Sequence, residues 1–127
     1  MKKSEQFRRG VALFNARQFF EAHDVWEEIW LAEAEPEKTF LQGLIQVAAA
    51  FYHHGRGNSR GTESLLTAGL SKLAGFPETH RGIAVADLRA DATKWMEKLP
   101  AGEHPGAPKL PRIRRVARSI GKRKRRG

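Results

Sequence analysis

The sequence predicts an all-α protein, a single antiparallel bundle of four to five helices with a basic C-terminal tail. Apolar residues recur at helical spacing through most of residues 4–99. Short segments with glycine or proline separate these stretches, which is typical of helices that pack as antiparallel neighbours. No strand alternation, internal repeat or long heptad array is evident. The 127 residues suit one domain with a single core.

The first helix is predicted from about Ser4 to Arg17, because Phe7, Val11 and Phe14 form one apolar stripe. Ser4 is the expected N-cap.

The second helix is predicted over residues 19–34. Pro36, which the first helical turn tolerates, opens a third helix that extends to about His54. Gly55 and Gly57 end this helix. Its apolar residues cover most of its circumference, which indicates a central helix with neighbours on several sides.

Asn58 or Ser59 caps a fourth helix, which ends at residues 75–77, Gly-Phe-Pro. A fifth helix ends at Pro100. Its apolar positions are Val85, Leu88, Ala92, Trp95 and Leu99.

The domain organisation follows from composition. Residues 1–99 form the bundle, and residues 100–108, with three prolines and two glycines, form a linker. Residues 109–127 form a basic tail that is predicted to be disordered or to fold into a short basic helix on contact. Residues 1–108 hold 13 Lys or Arg against 14 acidic residues, whereas the tail holds ten cations and no acid. The net charge of +9 is therefore a property of the tail.

The absence of cysteine excludes disulfides, a thiol nucleophile and thiolate metal sites. The N-terminus lacks the apolar run of a signal peptide. The longest apolar run, residues 47–51, is far shorter than the roughly 20 residues that span a bilayer. We therefore expect a cytoplasmic protein without a transmembrane segment.

Polar residues interrupt the apolar faces of the second and third helices. His23 and Glu27 fall on the buried face of the second helix or its border. Gln42, Gln46 and His53 fall on one line of the third helix. If the two helices are antiparallel neighbours, these five side chains form one polar seam.

Two interpretations of this seam stay open. In the first, the side chains satisfy one another's hydrogen bonds and set the helix register, since buried polar groups are nearly always paired. In the second, His23, Glu27 and His53 are metal ligands or acid–base groups, because two imidazoles and a carboxylate form a common transition-metal set. Bundle metal sites, however, use carboxylate-rich Glu-x-x-His pairs, and this spacing is His-x-x-x-Glu. We favour the structural interpretation and predict no metal or other cofactor.

The same two helices resemble a known family. Residues 13–30, LFNARQFFEAHDVWEEIW, and residues 40–58, FLQGLIQVAAAFYHHGRGN, resemble the two motifs of the family called domain of unknown function 309. The resemblance covers roughly residues 7–73, and Asp24 stands where that family often has Glu. The resemblance implies a small helical bundle and carries no activity with it.

The loop at residues 55–61, GRGNSRG, is a second candidate site. Arg56, Gly57, Asn58 and Arg60 lie at a fresh helix N-terminus, where backbone N–H groups attract anions. An ordinary turn in which glycines supply positive φ is the interpretation we favour.

The tail is a third candidate, because cations in this number bind polyanions through counterion release. Ile113, Val116, Ala117 and Ile120 have the spacing of a basic amphipathic helix on nucleic acid or an anionic membrane. The cations predicted to contact nucleic acid are Lys109, Arg112, Arg114, Arg115, Arg118, Lys122, Arg123, Lys124, Arg125 and Arg126. A solvated extension that aids solubility is an equal alternative.

The leading hypothesis is a non-enzymatic binding or scaffold domain with a polyanion-binding tail, and nucleic acid is the expected partner. One alternative is a small metal-dependent or acid–base hydrolase that uses His23, Glu27 and His53. Another is a homodimer that associates through an aromatic helix face. The sequence identifies no substrate or small-molecule ligand.

Overall fold

The computed structural model describes residues 2–98 and 109–116, and within them the chain forms five α-helices and one short hairpin. The elements follow one another as α1 (Lys3–Asn15), α2 (Phe19–Ala32), α3 (Glu37–Gly55), α4 (Ser59–Leu73), β1 (Thr79–His80), β2 (Ile83–Ala84) and α5 (Val85–Glu97). Consecutive helices pack against each other. The predicted all-α bundle is confirmed. The predicted linker, residues 100–108, lies outside the described residues.

The helix ends differ slightly from the predicted ones. α1 begins at Lys3, and the side chain of its N-cap, Lys2, makes no capping hydrogen bond, so the expectation that Ser4 is the cap is wrong. α1 ends at Asn15 because Arg17 adopts a positive φ of 68°, which a right-handed helix cannot accommodate.

Trp26 lies at the centre of the bundle. Its side chain is fully buried, and its Nε1–H donates to the carbonyl oxygen of Phe7 at 3.1 Å. A Cβ atom at Gly10 would overlap the Trp26 indole. The glycine in α1 is therefore required for the tryptophan of α2 to approach.

α3 is the central helix that its apolar circumference predicts, with nine buried residues. It packs closely on α4 through two glycines. A Cβ atom at Gly69 would lie 2.8 Å from the carbonyl oxygen of Gly43, so only residues without side chains allow this contact.

The hairpin is an element that the sequence patterns did not reveal. Thr79 pairs with Ala84 and His80 with Ile83, and the two turn residues, Arg81 and Gly82, have φ values of 52° and 79°. Two residues with positive φ are the signature of a tight hairpin turn. Strands of two residues are too short to show a period-two alternation of apolar and polar residues.

Residues 109–116, the docked arm, form an extended segment that packs on the bundle. Ile113 is only 2% exposed and belongs to the core. Its N–H donates to Asn15 Oδ1 and its carbonyl accepts from Asn15 Nδ2, both at 2.8 Å. The N–H of Ala84 donates to the carbonyl oxygen of Arg114 at 2.9 Å. The N–H of Val116 donates to the carbonyl oxygen of Gly82 at 2.8 Å.

For these residues the structure differs from the predicted disordered tail or amphipathic helix. Pro111 and Ile113 are buried, whereas Arg112 and Arg114 are exposed. An extended backbone sends alternate side chains to opposite sides, so it buries the apolar residues and leaves the arginines in water. Residues 117–127 of the predicted tail lie outside the described residues.

Candidate functional site

The structure places His23 and Glu27 on the outer flank of α2. His23 is half-buried and Glu27 is exposed, so the prediction that Glu27 lies on the buried face or its border is wrong. Four residues advance a helix about 40° beyond a full turn, and that rotation carries Glu27 from the border of the apolar face to solvent.

The predicted polar residues of α3 lie on a half-buried line. Gln42, Gln46 and His53 are all intermediate in exposure. His53 Nδ1 lies 3.3 Å from Asn58 Nδ2 in the following loop. Among the described side chains, no hydrogen bond joins these three to His23 or Glu27. Gln46 Oε1 is shielded from water without a hydrogen-bond partner, and so is His23 Nδ1, because its contact with Asp24 lacks hydrogen-bond geometry. The two polar lines exist, but the hydrogen-bonded network expected between them is not formed.

The side chains that could hold a metal are not the predicted trio. Atoms of His23, Asp24 and Glu27 that could bind a metal lie within 4.8 Å of one another, and Asp24 Oδ1 is 3.3 Å from His23 Nδ1. His53 is absent from this cluster. One imidazole and two exposed carboxylates on a single helical turn could hold a cation only with water completing its coordination.

The loop at residues 55–61 is a capped helix–helix turn. Asn58 Oδ1 accepts from the N–H of Gly61 at 2.9 Å and so occupies the start of α4. Gly57 has a φ of 78°, as expected for a glycine turn. Arg56 lies over the ring of Tyr52, with its guanidinium carbon 5.7 Å from the ring centroid. Arg60 is exposed.

The docked arm completes a groove of about 350 Å³ beside α1 and the hairpin, the cationic groove. Arg8, Arg81 and Arg115 all line it. The charge of Arg81 is compensated by two ion pairs, with Glu33 at 3.4 Å and with Glu37 at 3.3 Å. Arg8 and Arg115 are exposed and form no ion pair with any residue that the structure describes.

A second pair of arginines lies where the arm passes the end of α1. Arg17 donates to the carbonyl oxygens of Pro111 and Leu110, both at 2.9 Å. Burial lowers the pKa of the Arg17 guanidinium, and the positive charge of Arg112 lowers it further. Within residues 2–98 and 109–116, neither arginine pairs with a carboxylate. Neither guanidinium group is ion-paired within this part of the chain, although two carboxylates of α5 line the same pocket as Arg112.

Beside Arg17 lies a wider groove of about 560 Å³, the aromatic groove. Its floor consists of aromatic side chains, and its rim is polar and carries two cations. The floor residues are Phe19, Phe20, Phe51 and Tyr52, and the rim includes Arg17, Glu21, His54 and Arg56. Phe20 is 49% exposed, which is unusual for a phenylalanine.

Sequence reasoning missed the docked arm and hence both grooves. The signal was present as the alternation of Pro111 and Ile113 with Arg112 and Arg114. The spacing of Ile113 and Val116 fits a helix equally well, and the high charge favoured a solvated chain.

No described helix has the length and apolar character needed to cross a membrane. Of the predicted nucleic-acid contacts, Lys109, Arg112, Arg114 and Arg115 are exposed on the arm. Arg118 and residues 122–126 lie outside the described residues.

These features define a small all-α domain with a docked basic arm and an aromatic groove. Residues 7–65 match the model of the family described as domain of unknown function 309, which confirms the resemblance seen in the motifs. Over 90 residues the chain is 35% identical to the uncharacterised protein YpuF of Bacillus subtilis (strain 168) and 29% identical to an uncharacterised protein of Aquifex aeolicus (strain VF5).

Each alignment covers 70% of this chain but only part of the relative, 49% of YpuF and 27% of the Aquifex protein. Both relatives are therefore longer than the segment that they share with this chain. The similarity extends beyond the family match but reveals no activity.

Proposed function

We propose that this protein is a non-enzymatic module that binds nucleic acid through the basic arm and the neighbouring cations of the bundle. One observation supports the proposal above all. The docked arm fixes Arg115 in the cationic groove beside Arg8, and fixes Arg112 beside Arg17. Cations on a docked backbone that form no ion pair make stronger phosphate sites than cations on a freely solvated tail, because less conformational entropy is lost on binding.

The arm's own ion pair supports the same assignment. Arg114 Nη2 lies 2.7 Å from Asp87 Oδ2, so this arginine anchors the arm to α5. Its neighbours Arg112 and Arg115 stay available for phosphates. Six further cations follow in residues 117–127 and add charge of the same sign. Phosphate contacts of this kind bind tightly without reading sequence.

The test is fluorescence anisotropy of labelled generic RNA and DNA with the full-length protein over a range of salt concentrations. We expect steep salt dependence and little sequence preference. The double substitution R112Q/R115Q should lower the slope of log affinity against log salt by about 2 for duplex DNA, because each lost phosphate contact removes about 0.9. A cut at Pro108 is a poor test, because it would also remove Ile113 from the core.

Lys94→Gln is the matched control, since it removes one exposed cation from α5, away from both grooves. Arg115→Gln should weaken binding more than Lys94→Gln. Equal effects would mean that only net charge matters, and no binding at low salt would refute the proposal.

A metal-dependent enzyme is the second candidate, and the cluster of His23, Asp24 and Glu27 is the observation that favours it. Elemental analysis of purified protein, before and after equilibration with Zn²⁺, tests this candidate. Stoichiometric zinc that is lost on His23→Gln would support it. Zinc content that is unchanged by the substitution would eliminate the cluster as the site.

A further inference from the structure

The aromatic groove exposes flat apolar surface to water. The Phe20 ring lies 5.4 Å from the ring of Tyr52 and 5.9 Å from that of His23, measured between centroids. Behind it, Phe19 and Phe51 close the floor and are almost fully buried. Half of the Phe20 side chain remains uncovered, and the Tyr52 ring is tilted by 44° from it, so the Phe20 ring itself is the apolar platform that faces water. Such a platform suits a planar ligand that stacks.

The rim of the groove selects a negatively charged ligand. Arg56 lies over Tyr52 on one side, and Arg17 lines the other. Neither forms an ion pair with a described residue, and Glu21 is the one carboxylate among the described residues that line the groove. His54 also lines it, with its ring packed edge-on against Trp95 at 4.7 Å. An apolar peptide would offer no anion to either guanidinium group, and inorganic phosphate would leave the rings uncovered.

The groove is continuous with the basic surface proposed above. Leu110 of the docked arm lines it, and Arg17 stands between the groove and Arg112. A polyanion that follows the arm's cations therefore passes the mouth of the aromatic groove. A base in a duplex is stacked and paired, so only an unpaired base can enter.

We infer that the aromatic groove binds an unpaired base of single-stranded nucleic acid, which stacks on Phe20 while Arg17 and Arg56 contact the flanking phosphates. This inference rests on the proposed function and adds to it a preference for single strands. Stacking of a base on an aromatic side chain tolerates any base, because every base has a π-face.

The experiment uses the full-length protein and an oligothymidylate with 2-aminopurine at its centre, whose fluorescence reports stacking. Binding should change that fluorescence, and Phe20→Ala should abolish the change and weaken binding about 5- to 150-fold, as expected for one lost stacking contact. Leu31→Ala is the matched control, because Leu31 is 70% exposed near the other end of α2. It should leave both readouts unchanged.

Charge is tested in the same assay. Arg56→Gln should weaken binding to the oligonucleotide more than Arg60→Gln, which removes an exposed arginine of the same loop that does not line the groove. An oligonucleotide with an abasic site at the centre keeps every phosphate and loses one base. It should bind more weakly than the intact strand, and a duplex of equal length should be insensitive to Phe20→Ala.

Several results would overturn the inference while the proposed function stands. These are equal binding of intact and abasic strands, or duplex binding that depends on Phe20 as strongly as single-strand binding does. Sedimentation that shows a dimer dissociated by Phe20→Ala would instead identify the groove as a self-association surface. Absence of binding to every nucleic acid would remove the proposed function and this inference together.

Discussion

The docked arm makes residue 113 part of the hydrophobic core, and Ile113→Ala tests this directly. Truncating a buried isoleucine to alanine lowers the free energy of unfolding by about 2–5 kcal/mol. Ile113 is 2% exposed but lies on an extended segment that can shift inward, so we expect a value near the lower end, about 2–3 kcal/mol. Against a typical total of about 5–15 kcal/mol, this is a large loss.

The assay is urea unfolding followed by circular dichroism at the helix band, with Leu31→Ala as the control. Because Leu31 is 70% exposed, its truncation should stay within about 0.5 kcal/mol of the parent. Limited trypsin digestion gives a second readout, since cleavage after Arg112, Arg114 and Arg115 requires the arm to detach. Ile113→Ala should accelerate these cleavages.

Asn15→Ala examines the other half of the same docking. It removes both hydrogen bonds to the backbone of Ile113, at about 0.5–1.5 kcal/mol each. The double variant should lose less than the sum of the single losses, because each change already weakens the same docking. If Ile113→Ala behaved like Leu31→Ala and trypsin cut the parent's arm at once, residues 109–116 would not dock and the cationic groove would not exist.

Three further predictions concern the bundle itself. Gly10→Ala should destabilise the fold by about 1–3 kcal/mol and alter tryptophan fluorescence, because the added methyl overlaps the Trp26 indole; an unchanged urea midpoint would refute the close approach. Glu27→Ala should change the unfolding free energy by less than about 0.5 kcal/mol, because Glu27 is exposed; a loss above about 1 kcal/mol would restore the buried-network interpretation. Hydrogen bonds from Thr39 Oγ1–H and N–H lower the pKa of Glu35, so the stability that they provide is present above the unfolded-state pKa and disappears as pH falls through the folded-state pKa. Thr39→Val should raise the Glu35 pKa in an NMR titration, and an unchanged value would show that the side-chain hydrogen bond is absent.

The sequence was sufficient to predict the five helices, because apolar spacing and the glycine or proline residues between helices indicate the same elements. Phe7, Val11 and Phe14 are buried as their spacing predicts, and Asn58 caps α4 as expected, although the cap expected at Ser4 is absent. Face assignment was harder at the border of the buried stripe. Glu27 lies one turn and about 40° from the half-buried His23. Whether that rotation reaches solvent depends on where the buried face of α2 is centred, which the packing of the helices decides.

The site was less predictable than the fold because it depends on contacts between distant segments. Nothing local to Ile113 indicates that Asn15 will hold its backbone, and the surrounding arginines suggest solvent. The grooves arise from this docking, so Arg8 and Arg17 could not be assigned to a basic surface before the arm was placed. Phe20 is exposed because of how α2 meets α3, and no local pattern indicates that exposure.

The pairing of Asn15 with Ile113 also orders events in folding. The helices α1 to α4 make their main contacts with sequence neighbours, so they can assemble as the chain is synthesised. The arm joins residues 98 positions apart, and this contact must wait until residue 113 is available. Until then the pocket that receives Ile113 exposes apolar surface next to Asn15. A chain that stops before this point would therefore present an unfinished core, which is the kind of surface that chaperones and proteases recognise.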